Sequence, residues 1–416
     1  MKRSRIICSI ITVIYIILSI ALCLIILKSN VTIESSIGAH IKAIHIGAFG
    51  VCTLMYVGVR NKLAKKMSNK TISIKISKIY CYVYLAVIVF VSRLVMAYIL
   101  KDSVPTILRP CYSMGIGSYV NYSLAQLIGN QMYANIILNS ILVYLAGIVI
   151  KKIVLNITDN DMVATTTSII YILAPQSLAF VSEYIKYNYN VILVLVGIFV
   201  FLHIIDEVKQ FNKRDNKYLI YAGILGVTQS LDIVFGGSYM LWLCTMLIIT
   251  TVAMYVDVVH IKIKFKNSLN YKFKRIAEKI EKINISKLIY ITAISLLISL
   301  VPTVLNATLS NSNNYQMFEV INVINILLHS RNYYLVLIIF AFVFEIISVI
   351  ASRKMDIKMY LLKLLFICEI CLLFFMVDGI YAAGVFDTLL ILNAVMNICN
   401  ICYNREERIK LLKEKN

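Results

Sequence analysis

The chain alternates long apolar blocks with short polar or basic segments along its whole length. Each block holds about 20 residues, which is the length that an α-helix needs to cross the hydrocarbon core of a bilayer. The predicted fold is therefore all-α, a polytopic membrane bundle of about twelve transmembrane helices. The predicted spans are Ile6–Leu27, Ala43–Val59, Ile79–Leu100, Gln131–Ile150, Met162–Val181, Asn190–Ile205, Tyr218–Phe235, Tyr239–Asp257, Leu288–Asn306, Tyr333–Ile350, Met359–Val377 and Ile380–Tyr403.

The basic residues lie in alternate loops, and this distribution predicts the topology. Segment 60–78 carries seven Lys or Arg and no acid, and segment 260–287 carries nine Lys or Arg and two Glu. Loops that are rich in Lys and Arg stay in the cytoplasm. Because Lys2, Arg3 and Arg5 precede the first span, which we predict to be uncleaved, we expect both termini to be cytoplasmic.

Composition narrows the class of protein further. Apolar residues make up 60% of the 416 residues, more than a soluble domain can cover with polar surface. A formal net charge of +20 would suggest nucleic acid as a partner of a soluble protein, but the loop pattern accounts for it. We expect membrane lipids and no nucleic acid as partners. Usage rich in Lys, Ile and Asn suggests a bacterial plasma membrane.

The chain divides into five predicted segments. They are two N-terminal spans with a basic cytoplasmic loop (1–78), a core with a long outer loop at 101–130 (79–257), a basic amphipathic cytoplasmic segment (258–287), the C-terminal spans (288–403) and a basic cytoplasmic tail (404–416). The other long outer loop is 307–332, and long loops in a compact bundle often carry function. Cys111 is the one cysteine expected in an outer loop, so we predict no disulfide framework.

Four features of the core follow one another in a characteristic order. Arg93 precedes the long outer loop, Asn139 and the run Tyr144–Gly147 (YLAG) follow it, and Leu173–Pro175 (LAP) comes in the next span. With this order and spacing, the core resembles the GT-C superfamily of membrane glycosyltransferases, which includes protein O-mannosyltransferases and lipid A aminoarabinose transferases. The resemblance implies a GT-C-like bundle that acts at the outer face on a sugar linked to polyprenyl phosphate.

Two positions depart from the family pattern. The family carries an aspartate in its first outer loop, usually soon after a proline, but Pro110 is followed by Cys111 to Met114. The arginine of the family's C-terminal segment is also absent, since Ile380–Ala382 occupies that place. The chain is therefore an enzyme whose base lies elsewhere, or a degenerate relative that binds the lipid-linked sugar without transferring it.

Sugar transfer needs a carboxylate to take the proton of the acceptor while cations stabilise the departing phosphate. We expect Asp102 or Glu183 to be the catalytic base, because both lie in outer loops of the core. The alternative for each is a surface carboxylate, paired with Lys101 or Arg109 in the first case and with Lys186 in the second. The weaker candidates among the outer acids are Glu34, Asp232, Glu319 and Asp378.

The expected phosphate ligands are Arg93, Arg109, Lys186 and Arg331. Arg93 lies about two turns below the outer end of its span, where a charge is costly unless it is paired or reaches water. We therefore expect Arg93 to face the bundle interior, and a guanidinium suits phosphate oxygens. The alternatives are snorkelling to the interface or a buried pair with an acid such as Asp387.

Two other functions are compatible with the sequence. A transporter or flippase of a lipid-linked saccharide or small solute would use the charges inside the bundle, which are Arg93, Lys363, Glu369 and Asp387. A non-catalytic assembly subunit would depend on no single residue. No cofactor is certain and no residue is assigned to a metal, although the chemistry leaves a divalent metal open.

Overall fold

The structure is a computed structural model, and it describes part of the chain. The described residues are 13–14, 17, 70–99, 116–174, 177–178, 186–208, 216–235, 286–302, 304–305, 338–339, 343, 346, 358, 362–363, 365–367 and 388–397. All regular structure within these residues is helical, and this confirms the predicted all-α class for this part of the chain.

Eight helices lie within the described ranges, and we number them in chain order. They are α1 (Lys70–Ile99), α2 (Ile116–Ile128), α3 (Gln131–Thr158), α4 (Asp161–Ile172), α5 (Lys186–Val208), α6 (Lys217–Val234), α7 (Ser286–Pro302) and α8 (Thr388–Asn397). We call the end of the bundle at Gln131 the loop end, because the long loop 101–130 leads into it, and the end at Thr158 the opposite end.

Asparagine caps begin both α3 and α4. Asn130 Oδ1 accepts hydrogen bonds from the N–H groups two and three residues ahead, at 2.8 and 3.3 Å. Asn160 does the same at the start of α4, at 3.0 and 3.3 Å. The residues before these caps are left-handed, with φ of 74° at Gly129 and 50° at Asp159. Such two-residue turns reverse the chain sharply, and caps of this kind satisfy N–H groups that have no helical partner.

α4 ends at Ile172, whereas the sequence predicts a span that continues to Val181. Pro175 explains the difference, because proline has no N–H and disfavours helical backbone at the residue before it. The last turn tightens, so that the N–H of Ala174 reaches the carbonyl three residues back at 3.1 Å. The carbonyl of Ile172 then accepts hydrogen bonds from side chains.

Contacts between side chains set the register of the helices. Arg93 bonds to Asn139 near the loop end, and Cys81 contacts Lys151 near the opposite end, so α1 and α3 are antiparallel. Lys151 also pairs with Asp161 at the start of α4, which makes α4 antiparallel to α3. One apolar core joins α1, α3, α4, α5, α6, α7 and α8, while α2 lies beside it.

α5 and α6 are also antiparallel, and their loop ends meet through two aromatic rings. Tyr189, near the start of α5, stacks on Phe235 just after α6, with ring centroids 4.6 Å apart. α7 packs closely on α6, where the Ser230 hydroxyl donates to the carbonyl of Ile298 at 3.3 Å. Gly226 permits this approach, because a Cβ at that position would lie 2.7 Å from the Cβ of Ile298.

Large apolar side chains line the outside of these helices, while many polar side chains lie inside. The exposed stripe on α1 is Ile79, Val83, Val87, Phe90 and Leu94, and that on α3 is Tyr133, Ile137, Ile141 and Leu145. Contiguous apolar surface of this kind is unfavourable in water. By length and composition, two helices in the described part could cross a membrane: α3 (Gln131–Thr158) and Tyr189–Glu207 of α5.

The helices coincide with predicted spans and are often longer. α1 starts at Lys70 rather than Ile79, and α3 continues to Thr158 rather than ending at Ile150. α2 lies within the predicted outer loop 101–130. The described positions in 13–17, 338–346 and 362–367 are helical, as predicted. Predicted spans outside the described residues are Ala43–Val59 and Tyr239–Asp257, so the count of twelve stays a prediction.

Candidate functional site

Arg93 lies inside the bundle with 0% exposure, so it faces the interior as predicted and does not snorkel. Each of its five N–H groups has an acceptor. Nε donates to Asn139 Oδ1 at 3.2 Å. One terminal nitrogen donates to Ser92 Oγ at 2.8 Å and to the carbonyl of Ile172 at 2.7 Å. The other donates to the carbonyl of Ser177 at 3.2 Å and to its hydroxyl.

Arg93 donates a hydrogen bond to the end of a helix. The carbonyl of Ile172 is the last of α4, and a helix C-terminus carries the equivalent of about half a negative charge, whereas the Ser177 carbonyl lies five residues further along the chain. Among the described residues no carboxylate pairs with Arg93, and the predicted partner Asp387 lies outside them. A phosphate oxygen can bond to this guanidinium only by replacing one of the present hydrogen bonds.

Three amides line the inward face of α3 between the loop end and Arg93. Gln131, Asn135 and Asn139 are spaced by four residues, which places them on one helix face, and they are 5%, 3% and 0% exposed. Asn121 of α2 joins them. Its Nδ2 donates to Asn135 Oδ1 at 3.0 Å, and Gln131 Nε2 donates to the same oxygen at 2.9 Å. We call these four residues the amide stripe, which extends about 12 Å along α3.

The amide stripe keeps unpaired polar atoms. Asn121 Oδ1, Gln131 Oε1, Asn139 Nδ2 and the hydroxyl oxygen of the adjacent Ser140 are buried and have no hydrogen-bond partner. Each such atom costs about 1–3 kcal/mol relative to a paired one. Amides offer both donors and acceptors, as hydroxyl groups do. The unpaired atoms of the stripe therefore suit a ligand that carries several hydroxyl groups.

α2 covers the loop end of the amide stripe with its small and polar face. The buried residues of α2 are Gly117, Ser118, Asn121 and Ala125. Its exposed residues include Ile116, Tyr119, Val120 and Leu127. The polarity is thus the reverse of that of a surface helix in water, and it suits a helix that lies at the edge of a bilayer.

Gly117 fixes where α2 meets the rest of the bundle. A Cβ at this position would lie 3.0 Å from Cε2 of Tyr189 and 3.4 Å from Cδ1 of Phe235. The two stacked rings therefore press directly on the backbone of α2. This contact joins the outer-loop helix to the ends of α5 and α6.

α6 brings a further polar group into the interior at the same end. Asp232 is 0% exposed and is the one fully buried carboxylate in the described part of the chain. Gln229, one turn earlier, is also 0% exposed, and neither of its amide atoms has a hydrogen-bond partner. The neighbouring hydroxyls differ, because Thr228 and Ser230 donate to carbonyls of their own helix at 2.8 Å each.

At the opposite end, a buried lysine joins three helices. Lys151 Nζ lies 2.8 Å from Asp161 Oδ1, 2.8 Å from Cys81 Sγ and 5.2 Å from the centre of the Tyr82 ring. The sequence predicts Lys151 in a cytoplasmic loop, but the residue lies within α3 at 3% exposure. The pair ties the end of α3 to the start of α4, which is a structural role.

A second ion pair joins the ends of α3 and α5. Lys358 Nζ lies 2.7 Å and 2.8 Å from the two carboxylate oxygens of Asp206 and 2.8 Å from Asn156 Oδ1. Both ion pairs therefore connect helix ends far from the amide stripe. In the described residues, no group of three or more His, Cys, Asp or Glu could hold a metal ion.

The structure describes two of the six predicted site residues. Arg93 is described in full, and Lys186 is the first residue of α5. The predicted site residues outside the described ranges are Asp102, Arg109, Glu183 and Arg331. Their roles as base and phosphate ligands stay predictions.

The charges predicted for a transporter are described in part. Lys363 is buried at 1% exposure. Glu369 and Asp387 lie outside the described residues.

Sequence reasoning missed the amide stripe and Gln229. The spacing of Gln131, Asn135 and Asn139 was the available signal, because amides four residues apart in an apolar span share one face. No sequence pattern near Ser177 predicts its contact with Arg93, because the contact depends on where α4 ends in the folded protein.

Comparisons with protein-family models, with curated proteins and with solved structures found no match. The described residues define the class as a helical protein with two helices long and apolar enough to cross a membrane.

Proposed function

We propose that this chain is a polytopic GT-C-like membrane protein that binds a polyprenyl-phosphate-linked sugar at the outer face. The main supporting observation is that the residues on which the family resemblance rests are in contact with one another. Arg93 bonds to Asn139 at 3.2 Å and to the carbonyl of Ile172, just before the LAP step, at 2.7 Å. The Ser168 hydroxyl of the same span bonds to the carbonyl of Gly147, the glycine of YLAG, at 2.8 Å.

These contacts support the proposal because bundle formation alone does not require them. Apolar helices pack through van der Waals contact, and intramembrane charges are costly enough to be kept mainly for function. Here a fully buried arginine connects features that lie 46 and 79 residues from it in the sequence.

The proposed chemistry divides the ligand between two sets of residues. The sugar hydroxyls bind to the amide stripe, and the outer-loop cations Arg109, Lys186 and Arg331 hold the phosphate. If the chain transfers the sugar, Asp102 or Glu183 takes the proton of the acceptor hydroxyl or amine. The acceptor atom then bonds to the anomeric carbon, the bond from that carbon to the phosphate oxygen breaks, and polyprenyl phosphate leaves.

The test uses the full chain in liposomes with polyprenyl-phosphate sugars. We would measure lipid binding and sugar release for the wild type, Asp102→Asn, Glu183→Gln and Asn139→Leu. Glu207→Gln, at the opposite end of α5, is the matched control for Glu183→Gln. We expect Asn139→Leu to weaken binding about tenfold, which corresponds to one lost hydrogen bond of about 1.4 kcal/mol.

Each outcome has a distinct meaning. If the wild type releases sugar and one of the two acid variants does not, the substituted acid is the base. Binding without release from any donor identifies a degenerate relative that holds the lipid-linked sugar. Failure of the wild type to bind any polyprenyl-phosphate lipid overturns the proposal.

A further inference from the structure

We propose that Gln229 and Asp232 form a second subsite, which binds hydroxyl groups of the sugar; this inference rests on the proposed function. The two residues are one turn apart on α6, and each is 0% exposed. They belong neither to the amide stripe nor to the residues that bind Arg93. The subsite therefore adds polar groups on α6, a helix whose end meets α2 where Phe235 approaches Gly117.

Gln229 is the residue that points to a ligand. Both Nε2 and Oε1 are buried and have no hydrogen-bond partner. The neighbouring Thr228 differs, because its hydroxyl donates a hydrogen bond to the carbonyl of Leu225 at 2.8 Å. A glutamine side chain in an apolar helix interior costs stability unless its polar atoms are paired. Leucine or methionine would fill the same place without that cost, so the amide has a use other than packing.

The chemistry of the pair selects the kind of ligand. A phosphate oxygen only accepts hydrogen bonds, so it can satisfy Nε2 of Gln229 but not Oε1. An ammonium only donates, so it cannot satisfy Nε2. A hydroxyl group both donates and accepts, and it therefore suits the amide and the carboxylate together. The sugar, not the lipid phosphate, fits this subsite.

The pair lies at the same end of the bundle as the amide stripe. Asp232 and Gln229 lie about 5 Å and 9 Å along the helix axis from Phe235. The ring of Phe235 stacks on Tyr189, and both rings press on Gly117 of α2. α2 thus covers the loop end of the amide stripe and also contacts the end of the helix that carries the new subsite.

The experiment compares two lipids on the same protein. The full chain in nanodiscs is titrated with polyprenyl phosphate and with polyprenyl phosphate carrying mannose, glucose or aminoarabinose. The quantity measured is the ratio of the two dissociation constants, which reports the contribution of the sugar. Gln229→Met removes both polar atoms at similar length, and Asp232→Asn removes the charge at the same shape. Thr228→Val is the matched control, because its hydroxyl is used within the helix.

We expect the wild type to bind a sugar-bearing lipid more tightly than plain polyprenyl phosphate. In Gln229→Met we expect this ratio of dissociation constants to fall about tenfold, while the affinity for plain polyprenyl phosphate stays the same. Thr228→Val should keep the preference. If Gln229→Met bound neither lipid, we would conclude that it is misfolded, and Asp232→Asn would provide the second test. An unchanged preference in both variants, or equal binding of the two lipids by the wild type, overturns the subsite alone. Binding of neither lipid by the wild type overturns the proposed function.

Discussion

At the scale of single residues, the main feature is a guanidinium that is buried without an acid beside it in the described part of the chain. Arg93 is tolerated because its planar fork reaches acceptors on α1, α3 and the end of α4. Charge is costly in an apolar interior unless hydrogen bonds and dipoles compensate it. The geometry of the fork therefore matters as much as its charge.

Arg93→Lys should destabilise the protein even though the charge is kept. An ammonium offers three N–H donors on one nitrogen, whereas the guanidinium spreads five over three nitrogens, so at least two of the five hydrogen bonds are lost. We expect the free energy of unfolding to fall by about 2–4 kcal/mol. Thermal unfolding in detergent measures the change, with the exposed Lys152→Arg as control. Equal melting temperatures for Arg93→Lys and the control would contradict this account.

At the scale of helices, close approaches and ion pairs hold the elements in register. Gly226 lets α6 approach α7, and Gly117 lets α2 approach the rings at the ends of α5 and α6. Lys151 and Lys358 join helix ends at the other side of the bundle. The Gly226 contact and the Lys151–Asp161 ion pair can each be tested by comparison with a nearby control position.

Gly226→Ala and Gly223→Ala should have opposite effects on stability. At Gly226 the new Cβ would lie 2.7 Å from the Cβ of Ile298, whereas at Gly223 it meets nothing within 4 Å. Overpacking costs about 1–3 kcal/mol, and removing a helical glycine gains about 0.5–1 kcal/mol. Thermal unfolding of the two variants checks both signs. If Gly226→Ala proved as stable as Gly223→Ala, the packing of α7 on α6 would be wrong.

Asp161→Asn should destabilise the α3–α4 pair by about 1–3 kcal/mol, because Lys151 stays buried without its counter-charge. Asp159→Asn, in the adjacent exposed turn, should have little effect. Adding Lys151→Met to Asp161→Asn should recover part of the loss, since an apolar side chain needs no partner. Denaturant titration of the double-mutant cycle measures the coupling, and additive effects would show that the pair contributes nothing.

At the scale of the whole molecule, the described helices carry polar groups inside and apolar stripes outside. This arrangement favours a hydrocarbon environment, where polar side chains are satisfied only within the protein. α3 is the helix on which the proposed orientation can be tested directly. Its N-cap Asn130 and the N-cap of α4, Asn160, which comes two residues after the end of α3, are both exposed and lie at opposite ends of the bundle.

Single cysteines at these caps should be labelled from opposite sides of the membrane. In a background whose ten native cysteines are replaced by serine or alanine, we expect a membrane-impermeant maleimide to label Asn130→Cys in intact cells and Asn160→Cys only after permeabilisation. Both substitutions remove the same kind of cap, so they cost a similar amount, about 1 kcal/mol. Labelling of both positions in intact cells would show that α3 does not span the membrane.

The helical class and the approximate places of the predicted spans follow from hydropathy, because hydropathy is a property of neighbouring residues in the chain. The sequence also predicts Arg93 in the interior, since a charge deep in an apolar span has few other places to lie. Which polar groups meet depends on how the helices pack. Arg93 bonds to the last carbonyl of α4, to Ser177 beyond it and to side chains on α1 and α3, and these contacts depend on where α4 ends and how the helices pack. Asp232 was a weak candidate for the same reason, because its burial beside Gln229 is set by the rotation of α6 against its neighbours and not by any local pattern.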